Sequence, residues 1–206
     1  MVKILERFGM VDCKPVTTPM ELNFKKLCGS VVGLALGNAS EFRQLIGALM
    51  FLVKSHLDIC FAVNTLSQYM VEPHHSHWIG AKNLLRYLRG TITHGLRYTV
   101  GDVRLHGYFD ADWVGSVVDR KSTSRCYFSL GSVSISWMSR NQKSVAFSTV
   151  EAEYIASSMA SCEVVQLRKL FSELFGHVLD TMWSSTTTRV GSDYQRILCF
   201  MIVPSI

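Results

Sequence analysis

The acidic residues Asp110 and Glu153 frame the chemistry this sequence can offer. Asp110 stands in an alternating run that reads as a strand, and Glu153 in the first turns of a segment that reads as a long helix. Brought together, a strand carboxylate and a helix carboxylate can hold a divalent cation that activates water and stabilises a leaving oxygen. Asp112 and Glu151 lie two positions away from them, but a spacing of two on a helix puts Glu151 about 200° from Glu153, so both cannot face one site. By spacing alone such residues are more often solvated groups or helix-dipole partners. Arg120, Lys121, Arg140 and Lys143 could contact the phosphates of a polyanion, or equally form a solvated loop face. His74-His75-Ser76-His77 has the composition of a metal cluster, yet no ligand set of matching spacing accompanies it. It is expected to be an exposed segment at a helix start.

Positioning these groups requires two kinds of element. Phe42, Leu45, Ile46, Leu49, Met50 and Val53 recur at helical steps after Ser40, which is the expected N-cap of a helix reaching about Lys54. Asp58 caps a second helix, with Ile59, Ala62, Val63, Leu66 and Met70 inward, and Pro73 closes it. A third runs from about Ser76 to Arg89, with Trp78, Ala81, Leu85 and Leu88 on one stripe and Gly90 as its stop. The first 37 residues have loop or linker composition apart from a short helix at Val2 to Phe8. From Leu96 the period changes to two. In the strand Arg104 to Asp112, Leu105, Gly107 and Phe109 face one way, and His106, Tyr108, Asp110 and Asp112 the other. Strands at Cys126 to Leu130 and Val133 to Met138 follow, joined by Gly131-Ser132, with a further short strand at Ser144 to Ser148. Thr149 then caps a helix to about Phe175, ended by Gly176, with Ile155, Met159, Cys162, Val165 and Phe171 inward. The expected fold class is α+β: a helical unit over 1–95, a βββα unit over 96–180 and an irregular tail over 181–206.

Composition bounds what such a chain can be. Its 206 residues are 48% hydrophobic and 18% charged, which excludes disordered and low-complexity classes. No apolar run approaches the roughly 20 residues of a membrane span. Six scattered cysteines without a Cys-x-x-Cys pair argue against a zinc knuckle or a disulfide framework. The charged start Met1 to Arg7 leads to the expectation of an intracellular protein, cytoplasmic or nuclear without distinction. A net charge of +5 suits a nucleic-acid partner without demanding one.

The words themselves resemble a known family. Gly107-Tyr108-Phe109-Asp110-Ala111-Asp112-Trp113, Asp119-Arg120-Lys121-Ser122-Thr123-Ser124, Ile135-Ser136-Trp137 and Ser148-Thr149-Val150-Glu151-Ala152-Glu153-Tyr154 are similar to the ribonuclease H domain of copia-type LTR retrotransposon Pol polyproteins. Asp12-Cys13-Lys14-Pro15, Thr17-Thr18-Pro19-Met20, Arg43 to Met50 and Leu84 to Thr91 resemble the last part of that polyprotein's reverse transcriptase. The resemblance covers roughly residues 1 to 180. It implies a helical reverse-transcriptase remnant followed by a truncated ribonuclease H-like domain, ancestrally cutting RNA in RNA–DNA hybrids with Mg2+ held by four carboxylates. Asp110 and Glu153 match the first two of these, as catalytic and metal-binding residues, and Arg120, Lys121, Arg140 and Lys143 would contact the hybrid. The family's Tyr-x-Asp-Asp polymerase motif does not occur, so no reverse transcriptase activity is expected of this chain.

The tail departs from the family. The Cys-Asp-Asn-Gln-Ser segment carrying its third carboxylate and the Phe-His-x-Arg-x-Lys-His-Ile-Asp segment carrying its fourth are missing. Written as codons and read one base late, the first becomes Val-Thr-Thr-Arg-Val, whose last four residues are Thr187 to Val190, and the second becomes Phe200 to Ile206. The implied event is a frameshift between about Gly176 and Thr187, which transcript sequencing decides. A site with half its ligands is expected to be catalytically dead, and loss of the last two strands to leave an exposed sheet edge. Asp180 and Asp193 match no motif and are not expected to substitute. Arg125 stands at an expected turn position where the family usually has Gly, Leu57 where Pro is usual, and Gln166 where an aromatic is usual. The alternative to a dead nuclease is a noncatalytic module that binds nucleic acid or protein, or a chain with no selected function.

Overall fold

A computed structural model describes residues 1–21, 24, 34–96, 104–115 and 119–176, and the backbone of 181–185. The chain divides into two compact units, Met1–Gly95 and Leu96–Ile206, and its class is α+β.

Among the described residues, four helices build the first unit: α1 (Val2–Arg7), α2 (Ala39–Leu52), α3 (Cys60–Ser67) and α4 (His75–Gly90), with a short 3-10 turn at Leu57–Ile59. Their apolar stripes meet in one core, where Phe42, Leu45, Ile46 and Leu49 of α2 pack with Val63 and Leu66 of α3 and Leu84, Leu85 and Leu88 of α4. Met50, expected inward, lies half exposed, one step off the buried stripe. The N-cap of α2 is Asn38 rather than Ser40, because the Asn38 side chain accepts from the Glu41 backbone N–H at 3.2 Å. Residues 10–16 have no regular structure, yet α4 pins them. Arg86 Nε donates to the Lys14 carbonyl at 2.8 Å, Arg89 donates to the Val11 carbonyl, and a Cβ on Gly90 would sit 3.1 Å from Pro15. Leu57, in place of the family's Pro, starts the 3-10 turn at the surface and costs the core nothing.

The histidine run does begin a helix, but His77 is not exposed. It is 1% accessible, stacks on Tyr69 with ring centroids 3.9 Å apart, and accepts the His74 backbone N–H on Nδ1 at 2.8 Å. The run therefore caps α4 from within, in the manner of a capping box.

In the second unit, β1 (Leu105–Asp112), β2 (Thr123–Leu130) and β3 (Val133–Asn141) form an antiparallel sheet, followed by α5 (Thr149–Phe175) and β4 (Thr181–Ser185). The strand order is β3-β2-β1-β4, with β4 parallel to β1. Two expectations are corrected here. Ser144 to Ser148 forms no strand; it is the loop that leads into α5. The tail is not irregular throughout, since Thr181–Ser185 pairs with Leu105 to Phe109, so the unit is βββαβ and β1 is an interior strand. Antiparallel strands need only short turns, whereas a parallel pair such as β1 and β4 requires a long connection, here one that contains α5. Of the tail expected to be out of frame over 181–206, residues 186–206 lie outside the described residues.

Helix α5 packs on β1 and β2 through Ala152, Ala156, Ala160, Val164 and Leu167, spaced by three and four. Val165 and Cys162, expected inward, are exposed. The small alanines let the helix axis approach the sheet, against Leu105, Phe109, Cys126 and Phe128, and the larger side chains are displaced to the flanks. Gly176 ends the helix at φ +69°, a left-handed conformation that costs glycine little.

Burial holds the His77 ring neutral, its pKa lowered from 6.5 to about 4, with the neighbouring His74 acting in the same sense. Well above pH 6.5 neither folded nor unfolded chain is protonated there, and the helical unit keeps its full stability. As pH falls toward 4 the unfolded chain takes up a proton the folded chain refuses, which costs at most about 3 kcal/mol. Native-state hydrogen exchange of the α4 amides should show protection falling across this window in the unsubstituted chain and flattening in His77→Gln; protection indifferent to pH would contradict the buried neutral ring.

Candidate functional site

Period-two geometry sets the site. With Leu105, Gly107 and Phe109 turned into the core, Tyr108, Asp110 and Asp112 fall on the other face of β1. The antiparallel register places Tyr127 opposite Tyr108, and Arg125 opposite Asp110. Directly opposed residues share a face. The Tyr108 and Tyr127 rings meet at 5.9 Å, and beyond them Arg125 reaches across to both acids. Its Nη1 lies 3.2 Å from Asp110 Oδ2 and its Nη2 3.3 Å from Asp112 Oδ2. Arg125 is thus in the middle of a strand rather than at a turn, as expected from sequence, and it is the functional residue that sequence reasoning placed wrongly.

The other acid arrives on α5. Ser148, one residue before the expected cap Thr149, caps the helix by accepting the Glu151 N–H on Oγ at 3.2 Å. Glu151 returns the bond by accepting the Phe147 N–H at 2.8 Å, so its carboxylate serves the helix start. Glu153, on another side of the helix, meets the β1 backbone at Ala111 and feels the charge of Asp110. Burial pushes its carboxyl above the ordinary value of 4.5, Asp110 adds to that, and the Ala111 backbone hydrogen bond opposes it. Glu153 thus lies near enough to Asp110 to feel its charge.

Polar ties secure this end of the sheet and the approach to α5. Buried Gln142, which sequence reasoning passes over inside a polar run, donates from Nε2 to Ser124 Oγ at 2.9 Å and to the Ala152 carbonyl at 2.8 Å. Trp113 Nε1 donates to the Ala146 carbonyl at 3.2 Å. Val114 takes φ +52°, costly for a β-branched residue, while its N–H meets Ser122 Oγ at 3.3 Å. Arg120 and Lys121 lead into β2, Arg140 stands opposite Ser124 near the end of β3 and Lys143 follows that strand, at the end of the sheet where Thr123 pairs with both Asp112 and Asn141. Arg120, Arg140 and Lys143 are exposed, and Lys121 lies 3.6 Å from Asp119.

As a magnesium site the described residues do not fit. Among them no group of three or more His, Cys, Asp and Glu side chains is arranged to hold a metal ion. Asp110 already pairs with a guanidinium that never gives up its proton.

The chain is 41% identical over 172 residues to the retrovirus-related Pol polyprotein from transposon RE2 of Arabidopsis thaliana, covering 83% of this chain and 12% of that protein. It is 39% identical over 181 residues to the corresponding polyprotein from transposon TNT 1-94 of Nicotiana tabacum, covering 85% of this chain and 14% of that one. This chain belongs to the retrovirus-related Pol polyproteins of transposons. That is the family the copia-type resemblance implied. The Pol segment is also 45% identical over 128 residues to secreted RxLR effector protein 161 of Plasmopara viticola, covering 61% of this chain and 90% of that protein. No protein-family model matches it. No solved structure matches it significantly. The segment spans a small fraction of the polyproteins it matches, and no described helix is long and apolar enough to cross a membrane.

Because the folded pKa of Glu153 is raised, its contribution is full below about pH 4.5 and is lost as pH rises through the folded value. Glu153→Gln should therefore leave Tm unchanged near pH 4 and raise it at pH 7 in this Pol segment. A lower Tm at pH 7 would show that the site holds the ionised carboxylate favourably.

Proposed function

We propose that this chain is a noncatalytic descendant of a Pol nuclease module. Its second unit derives from a ribonuclease H domain that hydrolysed the RNA strand of RNA–DNA hybrids with Mg2+, and its first from the helical end of reverse transcriptase. One observation carries the reading: a β3-β2-β1-β4 sheet with Asp110 on its interior strand β1 and Glu153 beside it on the crossing helix, while Arg125 takes the charge of Asp110. With Asp110 paired to an arginine and the family's third and fourth acid motifs absent from the sequence, in keeping with the proposed frameshift, two-metal hydrolysis has no ligand set.

What remains is a basic rim. Arg120, Lys121, Arg140 and Lys143 stand at the carboxylate end of the sheet and suit a phosphate backbone, which is recognised by charge and shape rather than by base. Binding of this kind needs no metal.

A labelled RNA–DNA hybrid incubated with monodisperse protein and MgCl2 should stay intact, yet should bind at low salt and release as salt rises. Arg140→Ala with Lys143→Ala should weaken binding several-fold, and Asp110→Asn should not. Magnesium-dependent cleavage abolished by Asp110→Asn would overturn the noncatalytic reading, and undetectable binding at low salt would remove the nucleic-acid role.

A further inference from the structure

Arg125 does more than obstruct. Two acidic side chains, Asp110 and Asp112, stand on one face at the end of β1, each with an oxygen on the same guanidinium. Like charges this close destabilise the unit that holds them unless a cation intervenes. Arg125 supplies one from inside the chain. Its fork divides between two carboxylates, Nη1 to Asp110 and Nη2 to Asp112, so one permanent positive charge serves both.

The surroundings fit that division. A Cβ on Gly115 would come within 2.7 Å of Asp112 Oδ2, the oxygen that takes Nη2, so the glycine leaves room for the paired position of Asp112. The arginine is anchored by register, opposite Asp110 on a strand paired on both sides, and is not a surface side chain that met an acid by chance.

We propose that the Arg125 guanidinium is the resident cation of this carboxylate cluster, doing within the chain what a divalent ion would otherwise do, so that the second unit folds without any metal ion. The inference rests on the reading of Asp110 and Glu153 as an inherited cation site. Its test reads stability rather than cleavage, so its failure is separable from that of the nuclease reading, which hybrid cleavage by the unsubstituted chain decides.

Thermal unfolding of the full chain is followed with MnCl2 at millimolar concentration and with NaCl at matched ionic strength. The unsubstituted chain should give the same Tm in both. Arg125→Gln, which keeps the three-carbon stem and a polar end but no charge, should unfold several degrees lower in NaCl and regain about 3 °C in MnCl2. Arg125→Lys should stay indifferent to Mn2+, and Arg125→Gln with Asp110→Asn should lose the Mn2+ response. If Arg125→Gln is unfolded in NaCl, recovery of its far-UV spectrum by MnCl2 supports the proposal, and failure to recover overturns it. A Mn2+ shift in the unsubstituted chain or in Arg125→Lys as large as in Arg125→Gln overturns it too, as does a folded Arg125→Gln with no Mn2+ response.

Discussion

Alternation along β1 commits Leu105 and Phe109 to the core and thereby aligns Asp110 and Asp112 on the opposite face, where the register of β2 presents Arg125 to both. Every functional statement about this chain follows from that geometry. The apolar face cannot slip by one residue without exposing Phe109 and burying two carboxylates, so the position of Arg125 relative to the acids is as firmly specified as the core itself. The pairing is partly exposed, so one guanidinium serves both carboxylates at the edge of solvent.

Around it the second unit uses polar ties sparingly. Gln142 joins β2 to α5, the Ser148–Glu151 pair sets where α5 starts, and the alanine stripe sets how near that helix lies. These fix the position of Glu153 beside β1. In the first unit the arginines of α4 hold the irregular chain of residues 10–16 by its carbonyls, and a buried neutral histidine holds the start of the same helix. Both units use residues that look like surface chemistry as structural fasteners.

Much of this was legible in the residues. The helical spacings of Phe42 to Leu49 and of Ala81 to Leu88 are strong because whole stripes must be buried, and the alternation of β1 is strong because its two faces differ so sharply. Other features depend on tertiary context. Arg125 reads as a turn residue because it follows a polar run, whereas pairing with both β1 and β3 keeps it in a strand. The inward side of α5 reads toward its larger residues, but close approach selects Ala152, Ala156 and Ala160. Thr181–Ser185 carries a weak strand pattern and becomes β4 because β1 offers an unpaired edge. The burial of His77 depends on Tyr69, a partner eight positions away on the preceding segment.

The central claim is that Arg125, and not a metal ion, neutralises the acids of β1. Diffraction from crystals grown with MnCl2, recorded where manganese scatters anomalously, tests it most directly. The account predicts guanidinium density within hydrogen-bonding distance of both Asp110 and Asp112 and no anomalous peak beside them. A manganese ion ligated by Asp110 and Glu153, with Arg125 turned away, would contradict it.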